Sequence, residues 1–446
     1  MASSNASDPQ LAFIRDQVQL CMLPSLKKDL DEVQVLPAHF EAYHFMLKQE
    51  LPKLYDLLQR NEDVLLNDVL YQELRAQLVL LLCELTASQA IYSLDAGDDK
   101  QVLQNANQIL SKLASTCQKA EESYIFNYYE RNLHKDCWKR QLGAVHGYVR
   151  YLELRYVNDV KMSAQMLTFS VAVGLNVREC YQSEYKQLGV RIFTHMLKHG
   201  RPEDIQQLNI QGVIYEHVFR DVQSMDTIAE TNSNWDCLCL CLDHFTELDA
   251  FSWNQCDDML ERLIQNVSLA STTEMSICLM HFITKLGYYF AINKDDIKSA
   301  IASDLTQPDQ MAACLEVCAS LNVCTNFRWA KSILHMLVLE SEKLLRSADA
   351  CAQMLASMQR CFLVCVLSIP LQALHMHLGE FYAKFVAVLL ESIVVHERTQ
   401  PILGLTQQFF QIFIYQLKNC PPDYQAASNL KSYLSALENL PAVIVK

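Results

Sequence analysis

Glycine and proline are scarce in this chain, 10 and 11 of 446 residues, or about 2% each where soluble proteins average roughly 7% and 5%. Hairpin-rich β folds and doubly wound α/β folds use both residues in turns, bulges and phosphate loops, so the scarcity excludes them and predicts a nearly all-helical protein. Also missing is any stretch near the roughly 18 uncharged apolar residues of a spanning helix; the longest candidates are interrupted by Glu380, Lys384 and Glu391. No membrane association is expected. Met1 to Pro9 has neither a basic n-region nor an apolar h-region, so no secretory leader is expected. Clustered Lys and Arg are absent, and 37 basic against 51 acidic residues give a net charge of −14. That balance disfavours a nucleic-acid surface.

What is present is an apolar half, 51% of residues, too much for a chain that stays disordered. The 17 cysteines, an odd number, are expected to be free thiols in a reducing compartment, acting mainly as small buried hydrophobes. A cytoplasmic location is expected, with nuclear residence open because no basic run reads as an import signal.

The stretch from Gln187 to Arg220 shows the building unit. Leu188, Ile192 and Met196 recur at helical spacing, Gly200 stops the helix, and Pro202 with Glu203 and Asp204 supplies the first turn of another. The second helix is expected to present Leu208, Gly212, Tyr215 and Phe219 on one stripe. Similar breaks are expected at Thr231–Asn234, Ala270–Thr273, Thr306–Asp309 and Arg346–Asp349, with Ser271 and Glu274 spaced as a capping box. A period of about 40 residues filled by two helices predicts an α-solenoid of HEAT or armadillo-like hairpins. The alternative is a globular all-α domain with irregular helix lengths.

Three sections are expected: 1–134, an N-terminal helical section; 135–346, the periodic repeats; and 347–446, a charge-poor helical end. In the last, Arg360, Lys384, Arg398, Lys418, Lys431 and Lys446 balance Asp349, Glu380, Glu391, Glu397, Asp423 and Glu438, so the −14 lies in the first 346 residues. Helices there are apolar nearly all round and must be buried, inside this chain or against another. An end repeat normally carries a polar outer face. Phe385, Val388, Leu389, Phe409, Phe410, Phe413 and Leu417 are therefore the candidate partner-binding residues.

Motifs that could carry chemistry are weak. Cys237, Cys239 and Cys241 alternate, which on a helix points them apart, so they do not converge as zinc ligands. Cys314 with Cys318, and Cys361 with Cys365, share faces but lie in apolar helices without further ligands. His195 and His199 are four apart, yet the HExxH glutamate is missing; His375 and His377 face different ways. Asp257, Asp258 and Glu261 form DDxxE, like the magnesium site of all-α prenyl-transfer enzymes, but no second metal motif accompanies it. Phosphate loops, GxGxxG turns and GxSxG elbows are absent. The sequons at Asn5 and Asn266 read as chance matches. No catalytic residue, metal or cofactor is expected, and an enzyme is not.

Trp138 opens a region that resembles the Tel-two-interacting protein two family, the smallest member of the TTT co-chaperone assembly. The likeness continues through Tyr181–His195 (YQSEYKQLGVRIFTH), Asp204–Tyr215 (DIQQLNIQGVIY) and Phe282–Leu286 (FITKL), followed by Gly287. It ends near Leu344, a little under half of the chain. One departure is Glu179–Cys180, where the family shows an acidic pair. The resemblance implies a non-catalytic scaffold that joins the Tel-two and Tel-two-interacting protein one homologues. With the heat-shock-ninety chaperone and its R-two-TP adaptor, that assembly supports maturation of phosphatidylinositol-3-kinase-related kinases. A peptide-gripping adaptor or transport solenoid is the alternative from the residues alone, although Trp138, Trp235, Trp253 and Trp329 do not recur in repeat register. A magnesium-dependent enzyme is a remote third.

Overall fold

Helix starts in this computed structural model, which describes residues 9–61, 71–87, 90–93, 119–222, 227–321, 323–346, 348–396, 400–419 and a few single positions beyond, follow local chemistry. Eighteen α-helices form among the described residues, and no strand. The contacts divide the chain into two units: residues 1–219 with 236–244, and residues 220–235 with 245–446.

The first unit contains α1 (Pro9–Cys21), α2 (Glu41–Arg60), α3 (Gln72–Leu85), α4 (Lys119–Asn132), α5 (Leu142–Arg155), α6 (Ala164–Arg178), α7 (Ser183–His199), α8 (Pro202–Gln207) and most of α9 (Ile210–Asp221). Helices α1, α3, α5 and α7 pack one on the next, and α2, α4 and α6 lie against α1, α3 and α7. On α7, Tyr185, Leu188, Ile192, Phe193 and Met196 are buried, Gly200 caps the end, and Pro202 opens α8 with Glu203 and Asp204 in its first turn. Gly189 lets α6 and α7 touch: a Cβ there would lie 2.8 Å from the Gly174 carbonyl oxygen and 2.9 Å from the Arg178 Cβ.

The expected stripe beyond Pro202 is out of phase. α8 lasts six residues and ends before Asn209, whose φ of 49° turns the chain. The new helix buries Ile210, Ile214, Tyr215 and Val218, while Leu208 is exposed. A left-handed Asn resets helical phase, which a spacing count through it misses.

α10 (Ile228–Leu242) runs straight through the expected break at Thr231–Asn234. Its start lies earlier, where the Glu230 amide donates to the Thr227 hydroxyl and the Glu230 carboxylate accepts from the Thr227 amide, a reciprocal cap. Thr231 and Asn234 are buried in the helix.

In the second unit, α11 (Gln255–Leu269) and α12 (Thr273–Gly287) form one hairpin, α15 (Cys324–Ser341) and α16 (Ala348–Cys365) the next, α17 (Leu371–Val395) and α18 (Gln400–Lys418) the third. First helices stack on first helices, α11 on α15 on α17, and second on second, α12 on α16 on α18. This is α-solenoid packing, each hairpin burying its apolar faces against its neighbours. A further hairpin, α13 (Lys294–Ala302) and α14 (Pro308–Ala319), lies beside it, with α14 touching α16. The breaks at 270–273, 306–309 and 346–349 all separate helices, although the cap of α12 is Thr272, whose hydroxyl accepts from the Met275 amide, and not Ser271. Gly287 sits where a Cβ would meet the Cys365 Sγ at 2.5 Å, so the glycine sets the close approach of α12 and α16.

Candidate partner-docking surface

The residues expected from sequence to face a partner lie inside the chain's own packing. Phe385, Leu389, Phe409, Phe410, Phe413 and Leu417 are each no more than 1% exposed, and Val388 is half-buried. Phe385 lies 5.0 Å from Phe381 and 5.3 Å from Phe409, and Phe362 of α16 lies 5.3 Å from Phe413, centroid to centroid. These rings close the interface between the second and third hairpins. Apolar periodicity marked them as buried but not which surface buries them, and here it is the chain's own.

The DDxxE carboxylates are not gathered around an opening. Asp257 is fully buried at the start of α11 and caps it: its Oδ2 accepts from the Asn254 amide at 3.0 Å, while the Asn254 Oδ1 accepts from the Cys256 amide at 2.9 Å. The same carboxylate accepts from Arg328 Nε at 3.1 Å and Nη2 at 2.8 Å, and from Trp329 Nε1 at 2.8 Å. A buried carboxylate taken up by a guanidinium and an indole is a structural anchor. Asp258 accepts from Trp253 Nε1 at 2.8 Å, and Glu261 is exposed. The partners Arg328 and Trp329 stand too far along the chain to be found by local pattern.

The other candidate ligands are likewise spent on packing. His195 and His199 stack with ring centroids 4.4 Å apart. Burial, helped by His199 and Lys198, lowers the His195 pKa to about 4, and burial with Lys161 lowers that of His199. Both rings are held neutral. Cys237, Cys239 and Cys241 are buried, and burial followed by the neighbouring Cys237 raises the Cys241 thiol. The pairs Cys314 with Cys318 and Cys361 with Cys365 are wholly buried. Among the described residues no group of three or more His, Cys, Asp or Glu side chains could hold a metal ion, and no helix is long and apolar enough to cross a membrane. The side chains of His375 and His377, and Asn5, lie outside the described residues.

The anchor around Asp257 does something else: it fixes an aromatic surface. Arg328 also donates through Nη1 to the Ala250 carbonyl at 3.0 Å and through Nη2 to the Ser252 carbonyl at 3.2 Å. The loop between them is thereby tied to the start of α15, and Trp253 packs on Trp329 at 5.6 Å. On this tied loop Phe251 is 81% exposed and Trp253 57%, and Phe327 beside Arg328 is 56% exposed. Further along the same face of α15, Lys331, His335 and Leu339 are exposed at four-residue spacing. They border a groove of 340 Å³ shared with Phe381 and Lys384 of α17. Large rings held rigidly in water are the usual anchors of protein interfaces. From sequence the aromatics of Phe251–Trp253 are visible only as rings in an otherwise polar loop.

No protein-family model matches this sequence, and no curated protein matches it significantly. Among solved structures, one in which Kap95p binding induces the switch loops of RanGDP to adopt the GTP-bound conformation contains a chain that aligns over 96% of this one. The identity is 14% and the TM-score 0.40, and this chain spans 54% of that chain's length. The all-α architecture, with hairpins stacked in the second unit, is read from the helices and their packing in this chain.

Proposed function

We propose that the chain is a non-catalytic scaffold subunit that binds larger helical proteins, and that it serves in the TTT co-chaperone complex. In this reading it joins the Tel-two and Tel-two-interacting protein one homologues in the cytoplasm, and in the nucleus where the complex works there. It would then support phosphatidylinositol-3-kinase-related kinases together with the heat-shock-ninety chaperone. The observation that carries the scaffold reading is the exposed aromatic surface of Phe251, Trp253 and Phe327, held in place by a buried anchor and backed by stacked hairpins. The assembly named rests on the likeness of Trp138, Tyr181–His195, Asp204–Tyr215 and Phe282–Gly287 to the Tel-two-interacting protein two family.

The test is affinity purification of the tagged full chain, with co-purifying proteins identified by mass spectrometry. The two homologues are expected at near-stoichiometric amounts, and Trp253→Ala is expected to weaken their capture tenfold or more, since an interface ring is worth about 2 kcal/mol or more, with the helical fold retained by circular dichroism. Recovery of neither homologue refutes the assembly. Unchanged capture by Trp253→Ala refutes the assigned surface. A peptide-binding adaptor is the second reading, favoured by the groove beside Lys331 and Lys384; short disordered ligands without either homologue would decide for it.

A further inference from the structure

A second groove, of 720 Å³, lies between α12, α13 and α16 in the second unit. Its charge is unlike the chain's. His281, Lys285, Lys298 and Arg360 line it, and none of the described lining residues is acidic, in a protein with 51 acidic residues against 37 basic. Its lining is mostly apolar, with Ile277 of α12, Tyr288 just past the end of that helix, Ile301 of α13 and Ala356 of α16, and it also carries Thr284 and Ser357.

The arrangement follows from the stacking. Ile277, His281 and Lys285 recur at four-residue spacing and so share one side of α12, Tyr288 follows just past its end, and α16 supplies Ala356 and Arg360 four apart on the side that meets it. The cations sit at the mouth: His281, Lys298 and Arg360 are exposed and Lys285 is half-buried. Lys285 Nζ lies 5.8 Å over the Phe282 ring, and Lys298 pairs with Asp295 at 3.2 Å. That pair is solvent-exposed, contributes little to stability and exchanges readily for another carboxylate.

We propose that this groove docks an amphipathic acidic helix of a partner protein, its apolar stripe on Ile277, Tyr288, Ile301 and Ala356 and its flanking Asp and Glu on Lys285, Lys298 and Arg360. A small phosphate-bearing ligand is disfavoured because such sites converge backbone N–H groups or buried Arg forks on the anion, and here His281, Lys298 and Arg360 are exposed on three different helices. A nucleic acid is disfavoured because its backbone needs a longer basic track. From Ile277 to Lys285 the groove follows α12 for about 12 Å, a little over two turns of helix, and Tyr288 extends it past the helix end. That length suits anchors at i, i+4 and i+7. The inference rests on the scaffold reading only in taking the occupant to be a protein.

The experiment uses the full chain and a fluorescein-labelled helix-forming peptide of about fifteen residues, with leucines on one stripe and glutamates on the flanks, read by anisotropy. Comparison peptides replace the glutamates by lysines, or the leucines by serines; inositol hexakisphosphate serves as a small polyanion. The glutamate–leucine peptide is expected to bind, more weakly as salt is raised, and both altered peptides at least tenfold more weakly. Lys285→Glu with Arg360→Glu is expected to weaken it tenfold or more and to admit the lysine–leucine peptide instead. Arg360→Glu alone, on an exposed side chain, is expected to do part of this at unchanged melting temperature. The proposal is overturned by no binding of the glutamate–leucine peptide, by equal binding of the altered peptides, by indifference to both charge reversals, or by binding of inositol hexakisphosphate alone. Either result leaves co-purification of the two homologues an independent measurement.

Discussion

Replacing Glu84 by Gln tests the packing of the first unit at a buried carboxyl group. Glu84 is buried on α3 against Gly143 and Gly147 of α5, where an added Cβ would meet its side chain at 2.7 and 3.2 Å. The Leu23 amide donates to its Oε2 at 3.1 Å and the Tyr128 hydroxyl to its Oε1 at 3.3 Å. Burial pushes the carboxyl up to about 7, against an ordinary 4.5, and those two donors offset only part of the rise. Between these values the folded chain holds a proton that the unfolded chain has released. The Glu84 contribution to stability is therefore most favourable below 4.5, falls as pH rises, and is fully lost above about 7. A separation of about 2.5 pH units corresponds to roughly 3 kcal/mol. From about pH 5.5 to about pH 8 the loss is about 2 kcal/mol, or roughly 4–8 °C for a unit of about 200 residues. Glu84→Gln keeps an acceptor for the Leu23 amide and removes the titration.

His195 and His199 act in the opposite direction. Their lowered pKa values give stability that is present above 6.5 and lost as pH falls through the folded values. The informative quantity is therefore the difference between wild type and Glu84→Gln, followed by circular-dichroism melts, with hydrogen exchange of α3 and α5 to localise it. The variant is expected to gain on wild type by about 2 kcal/mol more at the higher pH than at the lower. Parallel pH dependence of the two proteins refutes the buried-carboxylate argument.

Other outcomes are specific. Phe385→Ala is expected to destabilise the second unit by about 3–5 kcal/mol, the usual cost of emptying a buried ring site, with increased aggregation in a melt. Asp257→Asn is expected to cost about 2–4 kcal/mol, because Arg328 loses its carboxylate, and magnesium is expected to raise the melting temperature of neither wild type nor variant; magnesium stabilisation of wild type alone would restore the metal reading. Gly287→Ala is expected to cost about 1–3 kcal/mol by overpacking against Cys365, measured by denaturant titration. An unchanged midpoint there would mean that α12 and α16 can move apart freely.

The helical class was legible because its signals are local: α7 carries its apolar residues on one stripe and stops at Gly200, and α14 opens on Pro308. α10 was harder. Thr231–Asn234 has loop-like composition, yet the tertiary environment buries Thr231 and Asn234 and draws a hydrogen bond from the Cys278 thiol to Asn232, while the true start is written in Thr227 and Glu230. Phase was lost at Asn209 because one left-handed residue leaves no trace in spacing. Sites were less legible than elements for a related reason. Asp257 resembles a metal ligand until Arg328 and Trp329 arrive from the next hairpin of the stack, and Phe385 resembles an interface residue until Phe381, Phe409 and Phe413 surround it.

The Asp257 anchor has a bearing on how this architecture tolerates change. Repeat arrays ordinarily lengthen or shorten by whole units because each unit touches only its neighbours. Here one carboxylate both begins α11 and clasps the opening turn of α15. The polypeptide between those two points, α13 and α14 included, is thus bridged as a loop whose ends are pinned together. New sequence can accumulate between α12 and α15 without altering the register of the stack, whereas loss of the α15 hairpin would strand the buried Asp257 carboxylate.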